Sequence, residues 1–332
     1  MGGDLVMQKN SRKRRCWVVL MIIFLFLFHS LAYAQRKSIG DVRPDSNKSA
    51  NEMDYPVEIW MGKRFIFLEK PKILQKHGYG LHLTKEFPPR PENMNPEFET
   101  QVIRFLKYDK FVGKIIKVID VEKTEEFSPF NLCVTFLEEK SNMKIFGRPY
   151  KGHVGGIAFF DDISRAKERW LGKTIYSKMR FIRTYDEKLD KYGEEKIRIG
   201  DPLKVIDISW GDDLMGPLWL IVETSYGKKG FVVTAFSWTN HYLDRWTENR
   251  PWKDHLFEFN PRLKFKWSDA TWELINNGKV KPGMSKEQVK LSWGSPKKIN
   301  EDIHQGLLYE QWIYDNQYLY FDNEILKAIQ SR

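Results

Sequence analysis

Two adjacent carboxylate pairs, Asp161-Asp162 and Asp212-Asp213, are the residues whose types most suggest acid–base chemistry. Paired acids can act as general acid and base, or flank a glycosidic bond, only where they line one cleft. Each pair follows a strand-like run and precedes a turn or helix. Asp is favoured there because its carboxylate hydrogen-bonds nearby backbone N–H groups, so turn chemistry accounts for both pairs. His77 and His82 lie five apart in His-Gly-Tyr-Gly-Leu-His, a spacing that suits neither one strand face nor a helical metal pair. They read as a surface turn. His153 precedes Val154-Gly155-Gly156, but no Gly-Lys-Ser/Thr order follows, so no phosphate loop is expected. His255 stands near Asp254 and Glu258 with no nucleophile at a strained turn beside it, and reads as a solvated corner. Cys133 lies among Leu132, Val134 and Phe136, the setting of a buried, inert thiol. Neither G-x-S-x-G nor H-E-x-x-H occurs. The expectation is therefore no enzyme, with no catalytic, cofactor-binding or metal residues and no cofactor.

Stepping outward from those residues, the N-terminus reads as an address. Lys9, Arg12, Lys13, Arg14 and Arg15 precede an unbroken apolar run from Trp17 to Phe28, and Ala32-Tyr33-Ala34 follows. A basic flank, a short apolar core and an A-x-A site predict a secretory signal peptide over 1–34. The run is shorter than the roughly 20 apolar residues of a membrane span. Cys16 follows Arg14-Arg15 and lacks the small and apolar residues a lipidation site needs. Residues 35–54 are polar without period and read as a flexible tether. The 332 residues carry a net charge of +10, and 42% are apolar. Such a composition excludes a disordered chain and a polytopic membrane protein, and two cysteines exclude a disulfide scaffold. Cleavage leaves a charge of about +6 spread along the chain. No dense basic block remains, so nucleic acid is not an expected partner, while weak attraction to anionic lipid or wall polymer is.

The mature chain contains an internal repeat. Trp60-Met61-Gly62-Lys63 recurs as Trp170-Leu171-Gly172-Lys173, and Lys117-Val118-Ile119-Asp120-Val121 as Lys204-Val205-Ile206-Asp207-Ile208. Gly113 and Gly200 each lie four residues upstream of the latter pair. Pro129, Leu132 and Val134 are matched with Pro217, Leu220 and Val222. A Pro-rich insert, Phe87 to Phe105, lengthens the first copy. Short strand-like runs with Gly and Asp-Asp turns predict a small β unit over 55–165 and a second over 166–242. Lys173 to Ile182 reads as one such run. The rhythm resembles bacterial SH3-type barrels. An aromatic connector follows over 243–267, in which Trp246, Trp252 and Phe257 are candidate partner-binding residues. The competing reading is a packed strap, because so many aromatics are not held in water.

In the last segment, 268–332, Ser268 caps a helix that runs to about Asn277. Ser285 and Gln288 form a capping box, with Met284 and Val289 as a hydrophobic staple, and Gly294 and Pro296 end the second helix. Loss of the Ser285 cap should cost about 1 kcal/mol. Leu307 to Tyr314, Tyr318 to Phe321 and Ile325 to Ile329 predict a three-stranded meander. The run Gly283-Met284-Ser285, Gln288-Val289, Trp293-Gly294 and Pro296 resembles the G-M-[ST]-x-x-[EQ]-V…G-x-P signature of the SmpA/OmlA family. That family includes a small lipoprotein subunit of the outer-membrane barrel-assembly machine, and its layered fold is similar to that of secreted inhibitor proteins. The resemblance implies protein–protein contact, and a periplasmic or extracellular place in a Gram-negative envelope.

The fold class expected is α+β, mostly β: two repeated barrel-like units, then a helix-helix-meander module. The function expected is an exported, non-enzymatic envelope protein that binds other envelope proteins, in outer-membrane assembly or maintenance. The alternative is a peptidoglycan binder or wall-associated hydrolase.

Overall fold

The computed structural model describes residues 57–85, 105–124, 132–150, 152–186, 189, 191–212, 215–240, 251–304 and 307–331. The expected signal peptide and tether lie outside them. The chain is mostly β, in three antiparallel sheets, with short helices. It forms two compact units. The larger spans Asn47–Ser295 with Glu324–Leu326, and the smaller includes Pro296–Asn323 and Lys327–Arg332.

The larger unit holds two sheets. The first comprises β1 (Arg64–Phe67), β2 (Ile115–Lys123), β3 (Leu132–Glu138), β4 (Lys144–Gly147) and β5 (Ile157–Phe159), in the order β4-β3-β2-β1-β5. The second comprises β6 (Thr174–Ser177), β7 (Phe181–Asp186), β8 (Lys191–Lys196), β9 (Pro202–Asp212), β10 (Gly216–Thr224), β11 (Lys229–Thr234) and β12 (Leu256–Phe257), in the order β12-β6-β9-β10-β11-β7-β8. Alternation explains which side of each strand is buried. In β10, Leu218, Leu220 and Val222 are buried while Trp219 and Ile221 on the other face are part-exposed. Trp60, Phe65, Phe67, Phe136 and Phe159 centre the first core. Trp170, Val205, Leu220, Phe236 and Trp252 centre the second.

The sequence repeat recurs bond by bond. Gly62 N–H donates to Val118 O and Val118 N–H to Lys63 O; Gly172 N–H donates to Val205 O and Val205 N–H to Lys173 O, each at 2.9 Å. Gly62 and Gly172 sit at φ +75° and +74°, where only glycine is unstrained. Gly113 N–H donates to Phe67 O and Gly200 N–H to Ser177 O. Phe65 faces Ile116 across β1–β2, as Ile175 faces Leu203 across β6–β9. The long strands bulge at matching residues, Ile119 in β2 and Ile206 in β9. Finally β5 pairs with β1 as β12 pairs with β6.

Two details differ from the sequence reading. The third anchor is two residues out: Val118 lies opposite Phe136 and Val205 opposite Val222, so Val134 corresponds to Leu220. A slip of two keeps every side chain on its own face, so alternation alone cannot detect it. Pro129 lies outside the described residues. The run Lys173 to Ile182 is two strands, β6 and β7, because Ser177 Oγ bonds Met179 N and O and turns the chain there. In the second sheet β7 then pairs with β11 at Arg183 and Phe231. In the first, the His82 backbone exchanges hydrogen bonds with Phe146 at the corresponding place. Most of the Pro-rich insert, 87–104, lies outside the described residues.

Helices α1 (Lys72–Gln75), α2 (Tyr108–Phe111), α3 (Asp161–Trp170), α4 (Pro261–Phe265), α5 (Asp269–Asn276) and α6 (Lys286–Trp293) complete the larger unit. Ser268 caps α5 and Ser285 caps α6 through the expected capping box with Gln288. Arg180 donates to Ile275 O (2.6 Å), Asn276 O (3.0 Å) and Ser292 O (2.7 Å). One guanidinium thus serves the open carbonyls at the ends of both helices.

The smaller unit is a meander of four strands rather than three: β13 (Lys298–His304), β14 (Leu307–Ile313), β15 (Gln317–Asp322) and β16 (Ile325–Ser331). The missed strand, β13, is Lys-Ile-Asn-Glu-Asp-Ile-His, with only two apolar residues to mark it. Asn300, Gln311, Tyr320 and Gln330 form a hydrogen-bonded row with one member on each strand. Trp312 and Phe321 pack at 4.4 Å between ring centroids.

Candidate functional site

The residues singled out for chemistry fall into separate networks. Asp161 is part-exposed at the start of α3 and pairs with Arg64 at 3.3 Å. Asp162 is buried, at 3% exposure. Its carboxylate accepts from Ser237 N (3.1 Å) and Ser237 Oγ (2.7 Å), and Arg165 lies 3.3 Å away. Burial pushes its pKa up to about 6, against the opposing pull of the Ser237 bonds and Arg165. The partners of these two carboxylates are distant in sequence, Arg64 lying 97 residues from Asp161 and Ser237 75 residues from Asp162, so local turn chemistry does not describe the pair. Asp212 is also buried, where it accepts from the Tyr192 hydroxyl and from Met215 N (2.6 Å). Asp213 lies outside the described residues.

The imidazoles are likewise apart. His77 is exposed at the end of α1, while His82 is buried and its backbone pairs with Phe146, so the two form no common surface turn. Among the described residues no group of three His, Cys, Asp or Glu is placed to hold a metal ion. His153 pairs with Tyr150 through the backbone. His255 is not a solvated corner. Its ring is part-buried, Nδ1 lies 3.1 Å from Thr234 Oγ1, and burial, aided by Lys178, lowers its pKa to about 4. Glu258 is engaged elsewhere: it takes both Arg169 Nε (2.5 Å) and Nη2 (2.6 Å), and Trp170 Nε1 (2.7 Å). Cys133 is buried in β3, and that burial raises its pKa, which keeps the thiol protonated.

The connector packs inward where it is described. Trp252 and Phe257 are each 6% exposed. Trp252 meets Trp170 edge-on at 5.6 Å beneath Arg169, and Phe257 lies 5.8 Å from Phe265. Phe265 stacks on Trp267 at 4.5 Å, and Trp267 lies 5.0 Å from Trp272. The packed-strap reading describes these rings, and neither Trp252 nor Phe257 presents a free surface. Trp246 lies outside the described residues.

The aromatic surface lies instead on the outer face of the second sheet. Trp219 of β10, part-exposed, stacks on the buried Phe231 of β11 at 4.3 Å and 21°. Tyr192 of β8 stands edge-on to both, at 6.1 and 6.3 Å. Tyr185 of β7 lies 5.0 Å from Tyr192 and is 40% exposed. Cross-strand pairing places these rings together: Arg183 opposite Phe231 and Tyr185 opposite Tyr192. Asp212 fixes the Tyr192 hydroxyl. Gly211 is required beneath them, since a Cβ there would lie 1.8 Å from Gly216 O and 2.8 Å from Trp219 Nε1. Rings held this way offer large contact area with few rotors to freeze. The signal in the sequence is Pro217 to Val222, apolar on both strand faces, where a strand open to water on one side alternates.

No family model, no curated protein and no solved structure matches this chain.

Proposed function

We propose that the protein is an exported, non-catalytic envelope protein that binds a partner protein through the outer face of its second sheet. The observation that carries this reading is the row Tyr185, Tyr192 and Trp219, part-open on one sheet face, packed on the buried Phe231 and braced by Asp212. Supporting it, the acids and imidazoles with chemical promise are engaged within the fold: Asp162 with Ser237, His255 with Thr234, Glu258 with Arg169. At the positions of Trp219 and Ile221 the first copy has Cys133 and Thr135, both buried. On this reading the two β units are copies of one SH3-like module, and the second copy has turned its outer face to recognition. The capping box on Ser285 and the strands after it are consistent with an SmpA/OmlA-like C-terminal end, a family that acts by protein contact.

The test is crosslinking in intact envelopes followed by recovery of the full chain. Defined partners should be retained by wild type and reduced at least about fivefold by Tyr185→Arg, a loss of roughly 1 kcal/mol of binding. Equal recovery from both, or recovery at background, would remove the proposal. Sedimentation of the chain with insoluble peptidoglycan, lost in the same variant, would favour a wall-polymer ligand at this face.

A further inference from the structure

A second surface, on the first sheet's side of the larger unit, has a different chemistry. After β1 the chain runs through Glu69 and Lys70 into α1 (Lys72–Gln75), a turn closed by Gln75 Nε2 donating to Lys70 O at 2.9 Å. The chain then crosses Gly78, at φ +60°, where a Cβ would lie 2.1 Å from Leu106 O and 3.6 Å from Lys107 Cα. That contact, with the Tyr79–Leu106 backbone pair, sets residues 76–78 against the start of α2 (Tyr108–Phe111). From α2, Tyr108 stacks at 6.0 Å on Tyr79, and the Lys70 backbone hydrogen-bonds the Tyr108 phenol. Lys70 Nζ lies 5.2 Å over the Tyr79 ring.

These contacts set side by side two segments that carry Lys70, Lys72, Lys76, Lys107 and Lys110, with only Glu69 and Asp109 as carboxylates in them. Burial first, and then the charges of Lys76 and Lys70, hold the His77 pKa below its ordinary value, so the histidine does not add to the positive field at neutral pH. Between Lys72 and Lys76 on α1, Ile73 stands 62% exposed. An exposed apolar side chain flanked by lysines matches the layered chemistry of an anionic bilayer. Ammonium groups meet lipid phosphates while one aliphatic side chain enters the headgroup region.

We propose that this lysine-rich surface docks the protein on an anionic phospholipid surface, with Ile73 as the inserted residue. The lysine-rich surface and the aromatic face of the second sheet are built from different strands, which meet at the Glu69–Asp212 bridge; the substituted lysines Lys72, Lys76 and Lys107 lie outside that bridge, so their changes should leave partner recovery by Tyr185 and its neighbours intact. The two proposals therefore fail separately.

The experiment is co-sedimentation of the full chain with phosphatidylcholine vesicles, with and without about 30% phosphatidylglycerol. The expected result is about tenfold stronger binding to the anionic vesicles at low salt, weakening as salt rises. Lys72→Glu, Lys76→Glu and Lys107→Glu together should abolish that excess. The same charge change at the exposed Lys167, Lys173 and Lys229 should preserve it. Ile73→Ser should lower binding several-fold without altering its salt dependence. Folding is checked by far-UV circular dichroism, and if the Glu triple misfolds, the corresponding Lys→Gln triple is read instead. Equal losses from the two triples would reduce the effect to net charge and overturn the proposal. So would the absence of any phosphatidylglycerol excess, or an excess for insoluble wall polymer that the vesicles do not show.

Discussion

Asn240 is buried at φ +61°, a conformation asparagine tolerates better than most residues. Its amide accepts from Val154 N at 2.7 Å and donates to Val154 O and Ile157 O at 2.9 and 2.7 Å. It thereby ties the end of the second repeat to the last strand of the first. Replacing it with Ala leaves three buried backbone groups without these partners and should destabilise the larger unit by roughly 3 kcal/mol. Urea midpoints of wild type and Asn240→Ala would measure this, and a change under about 0.5 kcal/mol would show that water or a shifted loop takes over the bonds. None of this was legible in Thr239-Asn240-His241, because the partners lie more than 80 residues away. Asp161-Asp162 teaches the same lesson. Asp161 stands at the helix start but pairs with Arg64, and the buried Asp162 bonds Ser237; no local pattern names either partner.

At the scale of elements, legibility follows the range of the forces involved. Helix caps are local, so Ser268, Ser285 and Gln288 were readable from the sequence alone. The repeat was readable because equivalent backbones need the same Gly at positive φ and the same buried Trp. Strand β13 was not readable, because its polar face, including Asn300, is matched by Gln311 across the sheet rather than by its own neighbours. The aromatic face was missed for a related reason: Tyr185, Tyr192, Trp219 and Phe231 come from four strands that converge only once the hairpin β7–β8 is added to β11. Arg180 gives the element-scale prediction. Burial lowers its pKa, yet its three charge-assisted bonds join the ends of α5 and α6 to the second sheet. Arg180→Ala should cost about 2–3 kcal/mol, and Arg180→Lys should recover only part of it because a single ammonium cannot reproduce the planar fork. Amide exchange should rise first in 269–293. Uniform exchange through the whole unit would instead mean that these helices are not separable from its core.

At the scale of the whole larger unit, two titrations that burial shifts in opposite directions oppose each other. Asp162 has a folded pKa of about 6 against an ordinary 3.8. The fold therefore holds its proton more tightly than the unfolded chain, and stability from this group is greatest at low pH and is lost as pH rises from about 4 to 6. His255 has a folded pKa of about 4 against an ordinary 6.5. Here the unfolded chain holds the proton, so stability is lost as pH falls from about 6.5 to 4. Each displacement corresponds to roughly 3 kcal/mol, and over the shared window the two slopes nearly cancel. Asp162→Asn keeps an acceptor for Ser237 and removes one side of the balance. It should be more stable than wild type at pH 7 by up to about 3 kcal/mol, with the advantage gone near pH 4. His255→Gln removes the other side, so wild type should lose stability relative to this variant as pH falls below 6.5. Taking each difference at fixed pH cancels the titration of every carboxylate common to both proteins, and urea unfolding at pH 4.5 and 7 supplies the four values needed. If neither difference changes with pH, Asp162 and His255 titrate alike in the folded and unfolded chains, and the enclosure that the Ser237 and Thr234 contacts imply does not persist in solution.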